Sequence, residues 1–267
     1  MKMETSEDRI RPSEPEDVER FRIWYWAQKL PGRTLEQTLA EEVALYFGKS
    51  VDDVMQFWYT STEKLKQEWL EQDPKTADEI IKYYDTNTTY IYELSYWHTL
   101  HMNLGLIENV RQLQEALKHS GRKYLDFGGG TGSNIILFNK YGFDCTIADV
   151  STSLLNFAKW RFDRRGMSVR IIDTKKDQLP NGEFDFVTAV EILEHVTNPV
   201  EIMRLIVQAT KPGGIIVAWI PFFEDKLRPM HLVTDINVAE RFETELGLEE
   251  IWREDNMLIR YYRKSVK

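Results

Sequence analysis

Between Asp17 and about Ser120, apolar residues return every three or four positions. Phe21, Trp24 and Tyr25 form one such set, Leu35, Leu39, Val43 and Tyr46 a second, and Val54, Phe57 and Trp58 a third. That period lines one face of a helix, so the pattern predicts a run of amphipathic helices. Pro31-Gly32, Gly48-Lys49-Ser50 and Asp73-Pro74 interrupt it. Ser50 with Asp53 has the spacing of an N-cap with an acid three residues on, and Asp17 is placed to cap the first helix. From Arg122 the pattern changes to short apolar runs alternating with helical segments. Strands are expected at 123–127, 143–149, 168–173, 184–190 and 214–220, and helices at 133–140, 152–165, 198–210 and 235–246. Such alternation implies an α/β fold, a doubly wound and mostly parallel sheet with helices on both faces. The end differs: Leu248 to Arg253 and Met257 to Tyr262, joined through Glu254-Asp255-Asn256, read as an antiparallel hairpin. The expected organisation is a flexible arm over 1–16, a helical lid and substrate-binding region over 17–120, and a seven-stranded domain over 121–267.

The most informative stretch is Tyr124-Leu125-Asp126-Phe127-Gly128-Gly129-Gly130-Thr131-Gly132. It reads as a buried strand ending in a glycine turn that opens a helix. Glycines at 128, 130 and 132 allow a sharp turn and leave no side chain between backbone and ligand. Units of this kind bind nucleotide-like cofactors at the carboxyl ends of parallel strands. A dinucleotide fingerprint read from Gly128 needs glycine at 133, where Ser133 stands; read from Gly130 it needs glycine at 135, where Ile135 stands.

The segment resembles the first motif of class I S-adenosylmethionine (SAM) methyltransferases, and the resemblance extends over about 121–262. Asp149 ends the next strand, 17 residues after Gly132, where that family places the acid that binds the ribose hydroxyls. Asp173, with Thr174 after it, ends the third strand, where the family places residues beside the adenine. The run from Phe184 to Val196, which includes Glu191, is similar to the fourth strand and its loop, and Lys211-Pro212-Gly213-Gly214 to the turn into the fifth. The resemblance implies SAM as cofactor, held by Asp126, Gly128, Gly130, Gly132, Asp149, Asp173, Thr174 and Glu191. Asp126 would lie near the methionine ammonium. A carboxylate accepting two hydroxyl protons suits Asp149. The terminal hairpin also belongs to that family and is usually lacking in nicotinamide-binding domains.

Composition narrows the partners. The net charge of −9, with no Lys/Arg stripe, opposes a nucleic-acid role. The basic group from Arg161 to Arg165 is expected on the solvated face of a helix. A single cysteine, Cys145 within an apolar strand, excludes an intramolecular disulfide and reads as a buried small hydrophobe. No apolar run approaches membrane-spanning length and the first residues lack a signal-peptide core, so a cytoplasmic protein is expected. A homodimer is compatible with this reading.

Acceptor chemistry is sought outside the cofactor motif. Five of the eight tryptophans precede residue 100, with a dense group in Tyr83, Tyr84, Tyr90, Tyr92, Tyr96 and Trp97. These suit a helical core, a lid over the strand ends, or both. Histidine is the natural base near neutral pH. His231, in the loop after the fifth strand, is the first choice, and His195, after the fourth, is the second. Some quinone-biosynthesis O-methyltransferases of the resembling family hold a divalent metal with a trio like Glu191, Glu194 and His195; no resident metal is expected here. The sequence thus favours SAM-dependent methylation of a small organic acceptor, most readily at oxygen. The alternatives are a SAM-binding scaffold without chemistry and a nicotinamide-dependent oxidoreductase.

Overall fold

A computed structural model describes residues 15–101, 103–233, 235–254 and 258–266. Residues 1–14 of the expected arm lie outside them, whereas Pro15 and Glu16 already belong to the first helix. Pro at a helix start costs no intrahelical hydrogen bond, which explains the early onset. The helical region comprises α1 (Pro15–Gln28), α2 (Leu35–Phe47), α3 (Val51–Gln72), α4 (Ala77–Thr86), α5 (Thr89–Trp97) and α6 (Leu104–Ala116). The expected Ser50 cap is present, the Asp53 amide donating to Ser50 Oγ at 3.1 Å, whereas Asp17 lies inside the first turn of α1 and pairs with Arg20 instead of capping it. Two capping boxes, Thr34 with Gln37 and Thr76 with Glu79, start α2 and α4.

The sheet follows as β1 (Lys123–Phe127), β2 (Asp144–Asp149), β3 (Arg170–Asp173), β4 (Phe184–Val190), β5 (Thr210–Trp219), β6 (Leu248–Glu254) and β7 (Ile259–Lys264), in the order β3-β2-β1-β4-β5-β7-β6. Strands β1 to β5 pair in parallel, while β7 pairs antiparallel with both β5 and β6. The covering helices are α7 (Ser133–Lys140), α8 (Thr152–Arg164), α9 (Pro199–Ala209) and α10 (Glu240–Leu246). Several boundaries moved, β3 starting at Arg170 where 168 was expected. β5 begins at Thr210 and absorbs the expected Lys211–Gly214 turn through a register shift, with Gly213 at φ +77°. The expected helix at 235–246 splits into a 3-10 turn, Ile236–Ala239, and α10. Asp255 and Asn256 of the expected hairpin turn lie outside the described residues.

The helical region shares its core with one face of the sheet. Trp24, Leu39, Val43, Trp58 and Val110 pack in one cluster with Ile135, Phe138, Phe157 and Tyr261. Cys145 is buried among them. Ionic contacts reinforce the junction. Glu42 of α2, fully buried, accepts from Arg161 Nε at 3.0 Å and pairs with Arg165. This corrects the expectation of a solvated basic face: Arg161 is 0% exposed because an acid on another helix reaches it. Asp85 at the end of α4 accepts the Thr152 amide at 2.9 Å, placing a negative charge at the amino end of α8.

Candidate active site

The carboxyl ends of β1, β2 and β4, the loops after β4 and β5, and helices α3 to α6 enclose one cavity of about 890 Å³. Asp126, Gly128, Gly130, Asp149, Thr174, Glu191, His195 and His231 all line it. Gly132 and Asp173 do not. Gly132 (φ +76°) packs against α8, and an added Cβ would lie 2.4 Å from Phe162 Cζ, so this glycine serves packing. Asp173 turns to cations. Burial pushes its carboxyl up, but hydrogen bonds from Lys175 and Lys176 outweigh burial and hold it at about 2. Lys175 itself lines the cavity and reaches Asp173 Oδ1 at 2.8 Å and Asp85 Oδ1 at 3.0 Å.

At the glycine turn, Gly128 has φ +72°, and a Cβ there would meet Ile192 Cδ1 at 2.2 Å. Gly130 (φ +54°) approaches Leu94 of α5, at 3.0 Å from such a Cβ, so it faces the helical region as well as the cavity. Asp149 stitches the turn to the next loop, Oδ2 accepting from the Gly130 amide at 3.0 Å and Oδ1 from the Ser151 amide at 2.8 Å. A carboxylate oxygen has further acceptor capacity, so these bonds orient Asp149 without consuming it. Asp126 is fixed by a hydroxyl chain: Tyr124 Oη lies 2.6 Å from Thr188 Oγ1, which donates to Asp126 Oδ1 at 2.8 Å. Burial pushes the Asp126 carboxyl up to about 6.

The cavity also holds the two candidate bases. The Glu194 carbonyl accepts the Leu232 and Val233 amides at 2.7 and 3.2 Å, drawing the loop after β5 onto the 3-10 turn Leu193–His195. The His195 and His231 rings consequently meet edge to face, with centroids 4.8 Å apart. His195 Nδ1 lies 3.1 Å from the Met230 carbonyl and 3.0 Å from Tyr84 Oη of α4. A carbonyl only accepts, so Nδ1 carries the proton and Nε2 keeps its lone pair. Burial, with His231 alongside, pushes the imidazole down to about 3, so the neutral form prevails. Glu194 Oε1 lies 3.5 Å from Nε2. Glu191 occupies a left-handed backbone conformation, φ +52°, a strained state that accumulates at functional sites.

Among the described residues, Glu194, His195 and His231 could also hold a metal ion, their ligand atoms lying within 4.8 Å of one another. His231 here replaces the Glu191 of the trio implied by sequence. Tyr84 and Arg228 are cavity residues that sequence reasoning did not assign; Arg228 sits over the Trp97 ring at 5.6 Å. The aromatic density before residue 100 was the available signal for Tyr84, and nothing in the sequence marked Arg228.

A family model described as a methyltransferase domain matches residues 96–263. The chain belongs to this methyltransferase family. Among curated relatives, the ubiquinone biosynthesis O-methyltransferase of Methylococcus capsulatus is 34% identical over 100 residues, covering 36% of this chain and 42% of that protein. The ubiquinone/menaquinone biosynthesis C-methyltransferase UbiE of Vibrio parahaemolyticus is 27% identical over 154 residues, covering 55% and 58%. The methyltransferase therefore spans about half the length of the curated relatives it matches. Among solved structures, the cyclase SpnF aligns with TM-score 0.52 at 17% identity over 63% of this chain and 84% of its own, a likeness of fold. SAM is the methyl donor of the family. The site fits it: a glycine turn that side chains would fill, one acid at the end of β1, and a second at the end of β2. No helix of the described residues is long and apolar enough to cross a membrane.

Proposed function

We propose that this methyltransferase transfers a methyl group from SAM to a hydroxyl oxygen of a small, largely apolar acceptor, with His195 receiving the proton. One observation carries the reading: a single cavity is lined by Asp126 and Asp149 and also by Tyr84, His195 and His231. Its volume lies in the range of sites for small organic ligands. Bound SAM supplies a methyl group on a sulfonium, already activated for displacement. Asp149 accepts the ribose hydroxyls, Asp126 faces the ammonium, Thr174 borders the adenine, and Glu191 bounds the methionine end. The aromatic helices exclude water and position the acceptor, which is a large part of what an in-line transfer needs. His195 Nε2 takes the acceptor proton, and Glu194, whose Oε1 lies 3.5 Å away, has to raise the imidazole above the value of about 3 that burial imposes for it to do so. The acidic balance of the chain directs it to small molecules over nucleic acids.

Calorimetric titration tests the cofactor assignment. SAM should bind in preference to NADH, and Asp149→Ala should weaken SAM by about 1.5–3 kcal/mol, the usual range for a hydrogen bond to a charged group. Preference for NADH would refute the assignment. A second titration follows from the raised Asp126. Below about pH 6 its carboxyl is protonated and cannot pair with an ammonium. SAM affinity should therefore fall as pH drops through about 6, and Asp126→Asn should flatten that dependence. An unchanged pH profile in the variant would remove Asp126 from the ammonium site.

The three convergent ligand atoms support a second reading, in which a divalent cation lowers the acceptor hydroxyl's pKa. Dialysis against EDTA separates the two. Undiminished turnover fits the histidine base, whereas loss that is restored by Mg²⁺ or Zn²⁺ fits the cation.

A further inference from the structure

SAM carries a carboxylate as well as an ammonium, and the two acids placed above account only for its cationic and hydroxyl groups. The cavity's long cationic side chains are already engaged elsewhere. Lys175 is bound by Asp85 and Asp173 at the β3 end. Arg228 pairs with Asp225 at 3.2 Å and is stacked on Trp97. Beside the glycine turn stands His98, which closes α5 and lines the cavity.

Ser133, Thr131 and Arg161 surround the Nδ1 edge of His98. Arg161 Nη1 donates to the Thr131 carbonyl at 2.7 Å and to Ser133 Oγ at 3.0 Å. Ser133 Oγ also lies 2.9 Å from His98 Nδ1. Arg161 can only donate, so the serine proton is available to Nδ1, and in that tautomer the ring is a donor at its other nitrogen, Nε2. Burial and the charge of Arg161 keep the ring neutral. Trp24 pins the residue from behind, its Nε1 donating to the His98 carbonyl at 3.2 Å and its ring meeting the imidazole edge at 5.5 Å. The result, in that tautomer, is a donor on a ring that lines the cavity beside the glycine turn, with the buried Arg161 charge adding positive potential.

We propose that His98 Nε2–H binds the carboxylate of SAM, so that the helical region supplies a cofactor contact as well as the acceptor wall. This rests on SAM being the cofactor. It also makes Ser133, Arg161 and Glu42 positioning residues: Glu42 holds Arg161, Arg161 holds Ser133, and Ser133 sets the tautomer of His98.

Calorimetry with SAM and with decarboxylated SAM, on wild type and His98→Leu, tests the assignment. The wild type should prefer SAM, and the leucine variant should lose about 10- to 100-fold in SAM affinity while binding the decarboxylated compound unchanged. His98→Gln, which keeps an N–H near the Nε2 position, should retain most of the preference. If His98→Leu keeps the full preference, or weakens both compounds equally, the contact is overturned. A measurement on unmodified protein stands beside these variants. The ring ¹⁵Nε2 resonance of His98 should shift on adding SAM and far less with the decarboxylated compound; equal shifts would also overturn the contact. A wild type that bound neither compound would overturn the cofactor reading itself.

Discussion

His195→Ala is expected to lower turnover by about 10²- to 10⁴-fold, the usual contribution of a positioned base, while changing SAM affinity little. The split between the two effects follows from geometry. His195 is held by Tyr84 and the Met230 carbonyl, whereas the acids proposed to hold the cofactor are held by the Gly130 and Ser151 amides and by Thr188. Its Nδ1 is committed to the Met230 carbonyl, which directs the basic lone pair to Nε2. Tyr84→Phe removes one of the two groups bound to Nδ1, so a smaller loss is expected. His231 has an edge-to-face contact with His195, and His231→Ala should loosen that ring more than it removes chemistry. Steady-state kinetics beside calorimetry on the three variants checks the ranking. If both histidine variants and their double variant turn over within about threefold of wild type, histidine catalysis is abandoned.

His195 and His231 were visible in the sequence as loop histidines after neighbouring strands, but their order of importance was not. The loop of His231 faces the acceptor side, which favoured it. What favours His195 is a hydrogen bond to Tyr84, 111 residues away in sequence. Contacts of that separation leave no periodic trace. The glycine turn, Asp126 and Asp149 were legible because β-strand, turn and helix are local patterns and their chemistry is ordered along the chain. Gly132 and Asp173 share that order without reaching the cavity, since order cannot say which side of a turn faces a ligand. Arg161 was misread for a related reason. A basic run on a helix is usually solvated, and only the docking of α2 brings the buried Glu42 to it.

That contact carries the second large effect. Glu42→Ala is expected to destabilise the fold by about 3–5 kcal/mol, because it strands the fully buried Arg161 and leaves Arg165 without its acid. For a chain of this size that corresponds to a drop in melting temperature of roughly 10 °C. Glu42→Gln should cost less, since an amide oxygen still accepts from a guanidinium. The same variants should weaken SAM binding, because Arg161 supports the Thr131 carbonyl and Ser133 at the glycine turn. Thermal unfolding and calorimetry report the two effects separately. A loss under about 1 kcal/mol would mean that the Glu42 ion pairs add little to the docking of the helical region.

The central claim is methyl transfer from SAM to the oxygen of a small acceptor. Incubating the protein with methyl-labelled SAM and a metabolite extract, followed by mass spectrometry, measures this directly. A labelled O-methyl product that disappears with His195→Ala is expected, together with stoichiometric S-adenosylhomocysteine. SAM that binds but is never consumed with any acceptor fraction, or a label recovered on nucleic acid, would contradict it.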